Sequence, residues 1–461
     1  MSTSPSARGR LVSFSVGQRV YFVLALTAGL GVAVTPSWGQ DRPASAAPVS
    51  ASAPAPAPAA AAPPAPPLDW AALEAGTLSD HVQLTYPEQF SRAGEAYFDH
   101  QTPPRWIVFQ AVAAPASGQA PSPHFAMYVA RLRWQGEGAE AKLAGIDEPM
   151  LISEPGSANT CGWFHPTSVG TLMFGSTVIP PTEETPAGFS RDRSRYQWQF
   201  PKEMRVMQRV IRPILEDHRT RTPISIPMDE GVFAARPLFE RPGGQDAGGY
   251  AAECSWSSDG RHILYTYVDP RTKNPDLWAY DTRTQTHTVL INAKGYNGGG
   301  FFAPDDRAIV YRSDRRGDNL LQLFTATLAF DDPADAGRIT GVRHEFALTD
   351  NQQVNWAPFY HPSGQFIVYA TSEEGHSNYE IFSMQLPDAS TMAAGPAESW
   401  PAKRDALVKR RITHATGFDG LPAFSSDGSW LIFTSQRAGP RPGEQRPTSQ
   451  VWAARWSVEG K

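Results

Sequence analysis

The chain has 461 residues, 41 basic against 46 acidic for a net charge of −5, with 19% charged and 11% aromatic side chains. That aromatic content excludes a disordered polyelectrolyte, and the acidic balance excludes a generic nucleic-acid binder, whose affinity rests on a basic face neutralising phosphates. The 42 prolines and 38 glycines break helices and punctuate turns, so an all-β fold is expected, and two cysteines make neither a disulfide framework nor a zinc site.

In chain order, Arg8, Arg10 and Arg19 precede an apolar run from Val20 to Val34 with no acidic residue among them. The run is shorter than the ~20 residues that span a bilayer, and Ser37 and Gly39 place small residues at −3 and −1 of a cut before Gln40. Residues 1–39 therefore read as a secretory signal peptide; left uncleaved, the run would tether the chain to a membrane. Residues 40–67 are nearly all Ala, Pro and Ser, the composition of a disordered, extended linker that packs no core.

From residue 68 the chain becomes repetitive. Four segments align: Trp256 to Tyr265, Phe302 to Tyr311, Tyr360 to Tyr369 and Phe424 to Phe433. Each reads as an aromatic, a tight polar turn and an apolar triplet. Asp259-Gly260, Ser363-Gly364 and Asp427-Gly428 suit the two-residue hairpin turns that demand positive φ, and the triplet opens a strand buried on both faces. The aromatics are 46, 58 and 64 residues apart, a repeat of ~40 to 45 residues with loop insertions. Two looser copies lie upstream at Phe98 and Phe164, making six.

Third strands are expected at Asp276 to Tyr280, Leu321 to Phe324, Tyr379 to Phe382 and Gln450 to Ala453, with a fourth at Thr288 to Ile291. Glu203 to Val210 is expected as the third strand of the second unit, Pro213 interrupting any helix there. Four antiparallel strands per unit around an axis make a six-bladed β-propeller over residues 68–461. The last unit ends without a fourth strand, and Val82 to Tyr86 is expected to supply it from the other terminus.

The pattern of aromatic, Ser/Ala/His-Pro/Ser-Asp/Ser-Gly and apolar triplet, followed by Thr-Ser or by Arg312 to Gly317, resembles the WD40-like propeller repeat of the TolB family of the Tol-Pal envelope system. Gly295 to Gly299, Val354 to Pro358 and Gly417 to Pro422 resemble exported Tol-like propellers that stand alone, since the α/β domain preceding the TolB propeller has no counterpart between linker and first blade. The resemblance implies a periplasmic or otherwise exported, monomeric binding protein. Its partner would be an envelope protein or peptide, with no nucleic acid, no cofactor and no catalysis.

Ligands of such a fold meet the face opposite the Asp-Gly turns. Five residues before each anchoring aromatic stand Ala93, Asn159, Ala251, Asn297, Asn355 and Asp419, whose polar members would ring the channel mouth or cap turns through their own backbone. Glu253, His376 and Arg312 complete the candidate binding set. Arg312, Arg315 and Arg316 would offer cations to an acidic partner, although Asp314, Asp318, Glu373 and Glu374 make the rim mixed. Gly298, Gly299, Gly300 and Gly420 are expected to let inner strands approach the axis, and Cys161 and Cys254 to be buried thiols. His165 and His361 are expected to shape turns. His376, with His414 nearby, is the best metal-ligand candidate; a third ligand would be needed for the alternative function, a metal-dependent uronate lyase. No Gly-x-Ser-x-Gly motif supports a hydrolase.

Overall fold

The computed structural model describes residues 68–457, apart from 183–189, 193–194, 198–199, 219–232, 245–247, 333–336, 388–391, 393–398, 442 and 445–446. The expected signal peptide and linker lie outside the described residues. Six antiparallel sheets form blades that follow one another along the chain, with a separate two-stranded ladder of Ser190–Asp192 and Arg195–Gln197 between the second and third strands of the second. The first blade contains Phe90–Phe98, Trp106–Ala113, Ala126–Gln135 and Lys142–Ile146, with Met150–Leu151 also pairing onto its third strand. The second contains Asn159–Phe164, Thr171–Ser176, Arg205–Val210 and a two-residue outer strand, Arg236–Pro237. The third runs from Tyr250–Trp256 through His262–Val268 and Pro275–Asp281 to Thr286–Ile291, and the fourth from Asn297–Phe302 through Ala308–Ser313 and Gln322–Phe330 to Ile339–Ala347. The fifth contains Asn355–Tyr360, Phe366–Thr371, Glu380–Gln385 and Lys409–Arg411. The sixth is Asp419–Phe424, Trp430–Ser435 and Gln450–Trp456, closed by Leu78–Gln83 from the start of the propeller. These are the expected six blades, joined into a ring by strands from both ends.

The closing strand lies earlier than expected, at Leu78–Gln83 rather than at 82–86. Beyond Gln83 the chain leaves the ladder: the Leu84 amide bonds Val451 O at 2.8 Å and Thr85 Oγ1 donates to Gln450 Oε1 at 2.8 Å, turning it toward Phe90. Arg205–Val210 is a strand as expected, but Pro213 begins rather than breaks a helix, Arg212–His218. Proline is tolerated in a first turn, where its missing N–H has no intrahelical acceptor to lose.

The apolar triplets do what their sequence demands. All seven residues of His262–Val268 and all six of Trp430–Ser435 are buried, because second strands are covered by a blade on each side. The turns preceding them are longer than two residues. The Ser257 amide bonds His262 O at 2.9 Å, the Gly260 amide bonds Ser257 O at 3.0 Å, and only Gly260 takes positive φ, at 72°. Asp259 Oδ1 accepts from Ser257 Oγ and the Arg261 amide, so the aspartate ties the turn through its side chain rather than through a left-handed backbone. His361 and His165 do shape their turns, each Nδ1 accepting backbone amides.

Candidate functional site at the propeller axis

Each inner strand is interrupted at the same point. The register against the second strand slips between Gly94 and Tyr97, Thr160 and Trp163, Ala252 and Ser255, Gly298 and Phe301, Trp356 and Phe359, and Gly420 and Ala423. The residue three before each anchoring aromatic takes left-handed φ: Glu95 46°, Cys161 51°, Glu253 55°, Gly299 58°, Ala357 50° and Leu421 53°. Five of these six are not glycine, so the bulge is enforced by the blades on either side rather than by local preference.

This six-membered ring of bulges surrounds a cavity of about 20 Å³, lined by Glu95, Cys161, Glu253 and Arg312 among others. Glu253 accepts hydrogen bonds from Tyr296 OH at 2.5 Å, Thr266 Oγ1 at 2.6 Å and Arg312 Nη2 at 3.2 Å, and Arg312 Nε donates to Tyr296 OH at 3.1 Å. Cys161 Sγ donates to Glu95 Oε1 at 2.9 Å. Burial pushes the Glu95 carboxyl and the thiols of Cys161 and Cys254 above their ordinary values. The axis thus holds two carboxyls and one guanidinium, charge-balanced when Glu95 keeps its proton. Gly299 leaves the space that the Arg312 guanidinium occupies, which a Cβ there would displace.

Toward the turn face the axis is plugged. Tyr97, Trp163, Phe301 and Phe359, each one residue before an anchoring aromatic, put all six of their ring-centroid separations between 4.6 and 6.5 Å. Ser255 and Ala423 fill the two remaining positions, small enough to let four rings meet. Toward the opposite face, a second aromatic group arcs around the mouth: Phe200 against Tyr250 at 4.8 Å and Tyr296 at 6.3 Å, Trp356 against Phe418 at 6.1 Å, and Tyr379 against Phe418 at 5.9 Å. Phe200, Trp356 and Phe418 are half-buried, so apolar ring surface remains open to solvent there.

The expected site residues fall into three groups. Asn159, Asn297, Asn355 and Asp419 are buried at 3% exposure or less. Asn297 Nδ2 donates to Ala293 O at 2.6 Å and Gly295 O at 3.1 Å while its Oδ1 accepts from Ser313 Oγ at 2.7 Å; Asn355 bonds Gln322, Asn351 and Thr371 in the same way. Asn159 Nδ2 bonds Phe125 O and Ser157 O. These side chains brace loops and blade seams. The backbone amide at this position crosses to the preceding blade at five of six seams: Ala93 to Ser449 O, Asn159 to Phe125 O, Ala251 to Met204 O, Asn355 to Leu321 O and Asp419 to Tyr379 O.

Glu253 and Arg312 form the second group. Arg312 does not stand on the rim with Arg315 and Arg316; it extends from the second strand of the fourth blade to the axis and pairs with Glu253. On the rim itself, Arg315 pairs with Glu345, and Arg316 with Asp318 and Asp350. His376 is exposed, its ring 6.3 Å from Tyr379. Its neighbour His414 donates its backbone amide to Glu74, and among the described residues no three His, Cys, Asp or Glu side chains are grouped to hold a metal ion. Glu95 and the four-ring plug were missed by the sequence reading. The signal of the plug was the recurrence of an aromatic immediately before the anchoring one in four of six copies; Glu95 carried none.

Comparison with known proteins bears on this arrangement of repeats. No protein-family model matches the chain. The Tol-Pal system protein TolB of Wolinella succinogenes is 27% identical over 177 residues, 38% of this chain and 34% of that protein. TolB of Helicobacter pylori is 36% identical over 69 residues, 15% and 16% of the two chains, and an uncharacterized protein of Agrobacterium fabrum is 28% identical over 116 residues, 25% of this chain and 34% of that one. With the six-bladed ring in view, the repeats of this chain are similar to those of TolB propellers.

The match spans about a third of the length of the first two relatives. Among solved structures, TolB of Acinetobacter baumannii superposes with a TM-score of 0.39 at 13% identity over 81% of this chain and 65% of that one. An oligogalacturonate lyase of Vibrio parahaemolyticus gives 0.40 at 12% identity over 83% and 94%. The blade count rests on the strand pairing of this chain itself, not on those superpositions. Among the described residues no helix is long and apolar enough to cross a membrane.

Proposed function

We propose that this chain is an exported, non-catalytic binding propeller that docks a protein or peptide of the cell envelope at the mouth opposite the turns. The observation that carries the reading is the half-exposed aromatic arc of Phe200, Trp356 and Phe418 over a sealed, charge-paired axis. A closed floor offers no through-channel, and exposed rings above it supply rigid contact area at little conformational cost. The surrounding rim cations Arg315, Arg316, Lys409 and Arg411 each carry a carboxylate partner, so recognition at the mouth falls to ring surface and shape rather than to net charge. The TolB relatives are Tol-Pal system proteins by name, which supports an envelope partner; the apolar leader at residues 20–34 supports export, with residues 1–39 removed and 40–67 serving as a linker.

The test is affinity capture from solubilised envelope with the wild-type chain and a Trp356→Ser/Phe418→Ser variant, with Val169→Ser on the turn face as control. One co-purifying protein retained by wild type and control but lost by the mouth variant, at unchanged circular dichroism, is the expected result. Equal retention by all three removes the mouth from the reading. Metal-dependent depolymerisation of a uronate polymer that His376→Ala abolishes would replace the whole reading with catalysis.

A further inference from the structure

Two neighbouring seams of the ring are built on the same backbone but carry different chemistry. Gln322 and Glu380 open the third strands of the fourth and fifth blades; Asn355 and Asp419 open the inner strands of the blades that follow. Both seams are tied by the same amide-to-carbonyl bond of 2.8 Å, Asn355 to Leu321 O and Asp419 to Tyr379 O. Across the first, Asn355 Nδ2 donates to Gln322 Oε1 at 3.2 Å, amide to amide. Across the second, the equivalent positions hold two carboxyls, at 0% and 1% exposure.

The surroundings do not balance them. Glu380 Oε1 accepts from Arg411 Nη2 at 2.8 Å and Asn378 Nδ2 at 3.0 Å, and its Oε2 from Thr413 Oγ1 at 2.6 Å. Asp419 Oδ2 accepts from Arg437 Nη2 at 3.0 Å, and Ser435 is its other side-chain hydrogen-bonding neighbour. Arg437 is shared with Glu74 of the helix Trp70–Glu74, at 3.0 Å from Nη1, and lies over the Trp70 ring at 4.4 Å. Glu74 also accepts from His81 Nε2 and from the His414 amide, and Arg411 also pairs with Glu374. Four carboxyls, Glu74, Glu374, Glu380 and Asp419, therefore face two guanidiniums, with His81 and His414 the other titratable neighbours.

We propose that Glu380 and Asp419 hold one proton between them, making the seam of the fifth and sixth blades a pH-sensitive latch that loosens, together with the N-terminal helix, when the proton leaves. Two carboxylates in one dry site cannot both ionise cheaply. Burial first, and then the charge of Asp419, push Glu380 from its ordinary 4.5 up to about 8. The folded chain thus holds a proton that the unfolded chain has released. The stabilisation is complete below the unfolded value and is lost as pH rises from about 4.5 through about 8. The seam lies directly beneath Tyr379 and Phe418 of the mouth, but the inference does not depend on what the mouth binds.

The experiment compares the full chain with Glu380→Gln and Asp419→Asn, each of which installs the amide that the neighbouring seam already carries. Melting temperature is followed by calorimetry from pH 5 to 9, and chymotryptic cleavage between Trp70 and Leu78 is timed at each pH. The wild type is expected to lose about 5 °C across this range and to be cut severalfold faster at its alkaline end, with both trends flattened in the two variants. Parallel profiles in all three chains, or cleavage that ignores pH, overturn the proposal. So does failure of both variants to fold, since an amide pair holds the equivalent seam intact.

Discussion

Replacing Arg312 with methionine should expose the electrostatics of the axis. The variant keeps the side-chain volume but leaves Glu95 and Glu253 buried with no cation, Glu253 retaining only Tyr296 and Thr266 as donors. Removing one partner of a buried pair costs about 3–5 kcal/mol, most of it the burden of the charge left behind. With an unfolding entropy of about 2.1 cal/mol/K per residue over roughly 390 residues, about 4 kcal/mol lowers the melting temperature by about 5 °C. The loss should grow with pH. Burial already raises the Glu95 carboxyl and Arg312 opposes that rise, so without the cation Glu95 is raised further, and a group raised in the folded state gives stability that disappears as pH climbs through that value. The second substitution, Glu253→Gln, should restore most of the loss, because it removes the stranded charge and keeps the hydrogen-bonding shape. Urea melts of the wild type, both single variants and the double variant at pH 5 and 7.5 measure the coupling directly. An Arg312→Met cost below about 1 kcal/mol, or a double variant as unstable as Arg312→Met alone, would refute the claim that the axis is held by a paired charge.

Trp163→Ala should cost about 3 kcal/mol, the low end for a large ring because Trp163 is half-buried, and circular dichroism should still report a β-rich fold. Cys254, buried and with its thiol pushed up by that burial, should react with a disulfide reagent at pH 8 only at the rate of unfolding; fast labelling of Cys254 in the folded chain would contradict the closed axis. Partner binding at the mouth should change less than about threefold between low and high salt, because the rim cations are already paired; a steep salt dependence by titration calorimetry would point to a charged footprint instead.

Much of this molecule can be read without coordinates. The polar turns and apolar triplets after Trp256, Phe302, Tyr360 and Phe424 are local signals, and closure by a strand before residue 90 follows from a last blade with three strands of its own. The small residues Gly298 and Gly299 were legible as a close approach, since a Cβ at either would run into the side chains of Thr266 and Glu253 or of Arg312.

The site resisted because its contacts are long-range and its phase is shifted. Glu253 meets Arg312 across 59 residues, and Glu74 meets Arg437 across 363; neither partner carries a mark of the other. Within each inner strand the bulge adds one residue and reverses the alternation of faces. Asn297 and Phe301, four apart and thus on one face of a regular strand, are sent in different directions, the amide into the seam and the ring into the plug. Local pattern determined six blades and where each begins, because turns and periodicity are set by neighbours along the chain. Which side chains reach the axis, and which charges must share it, was decided only when neighbouring blades imposed left-handed backbone on residues such as Glu95 and Glu253 that would not adopt it alone.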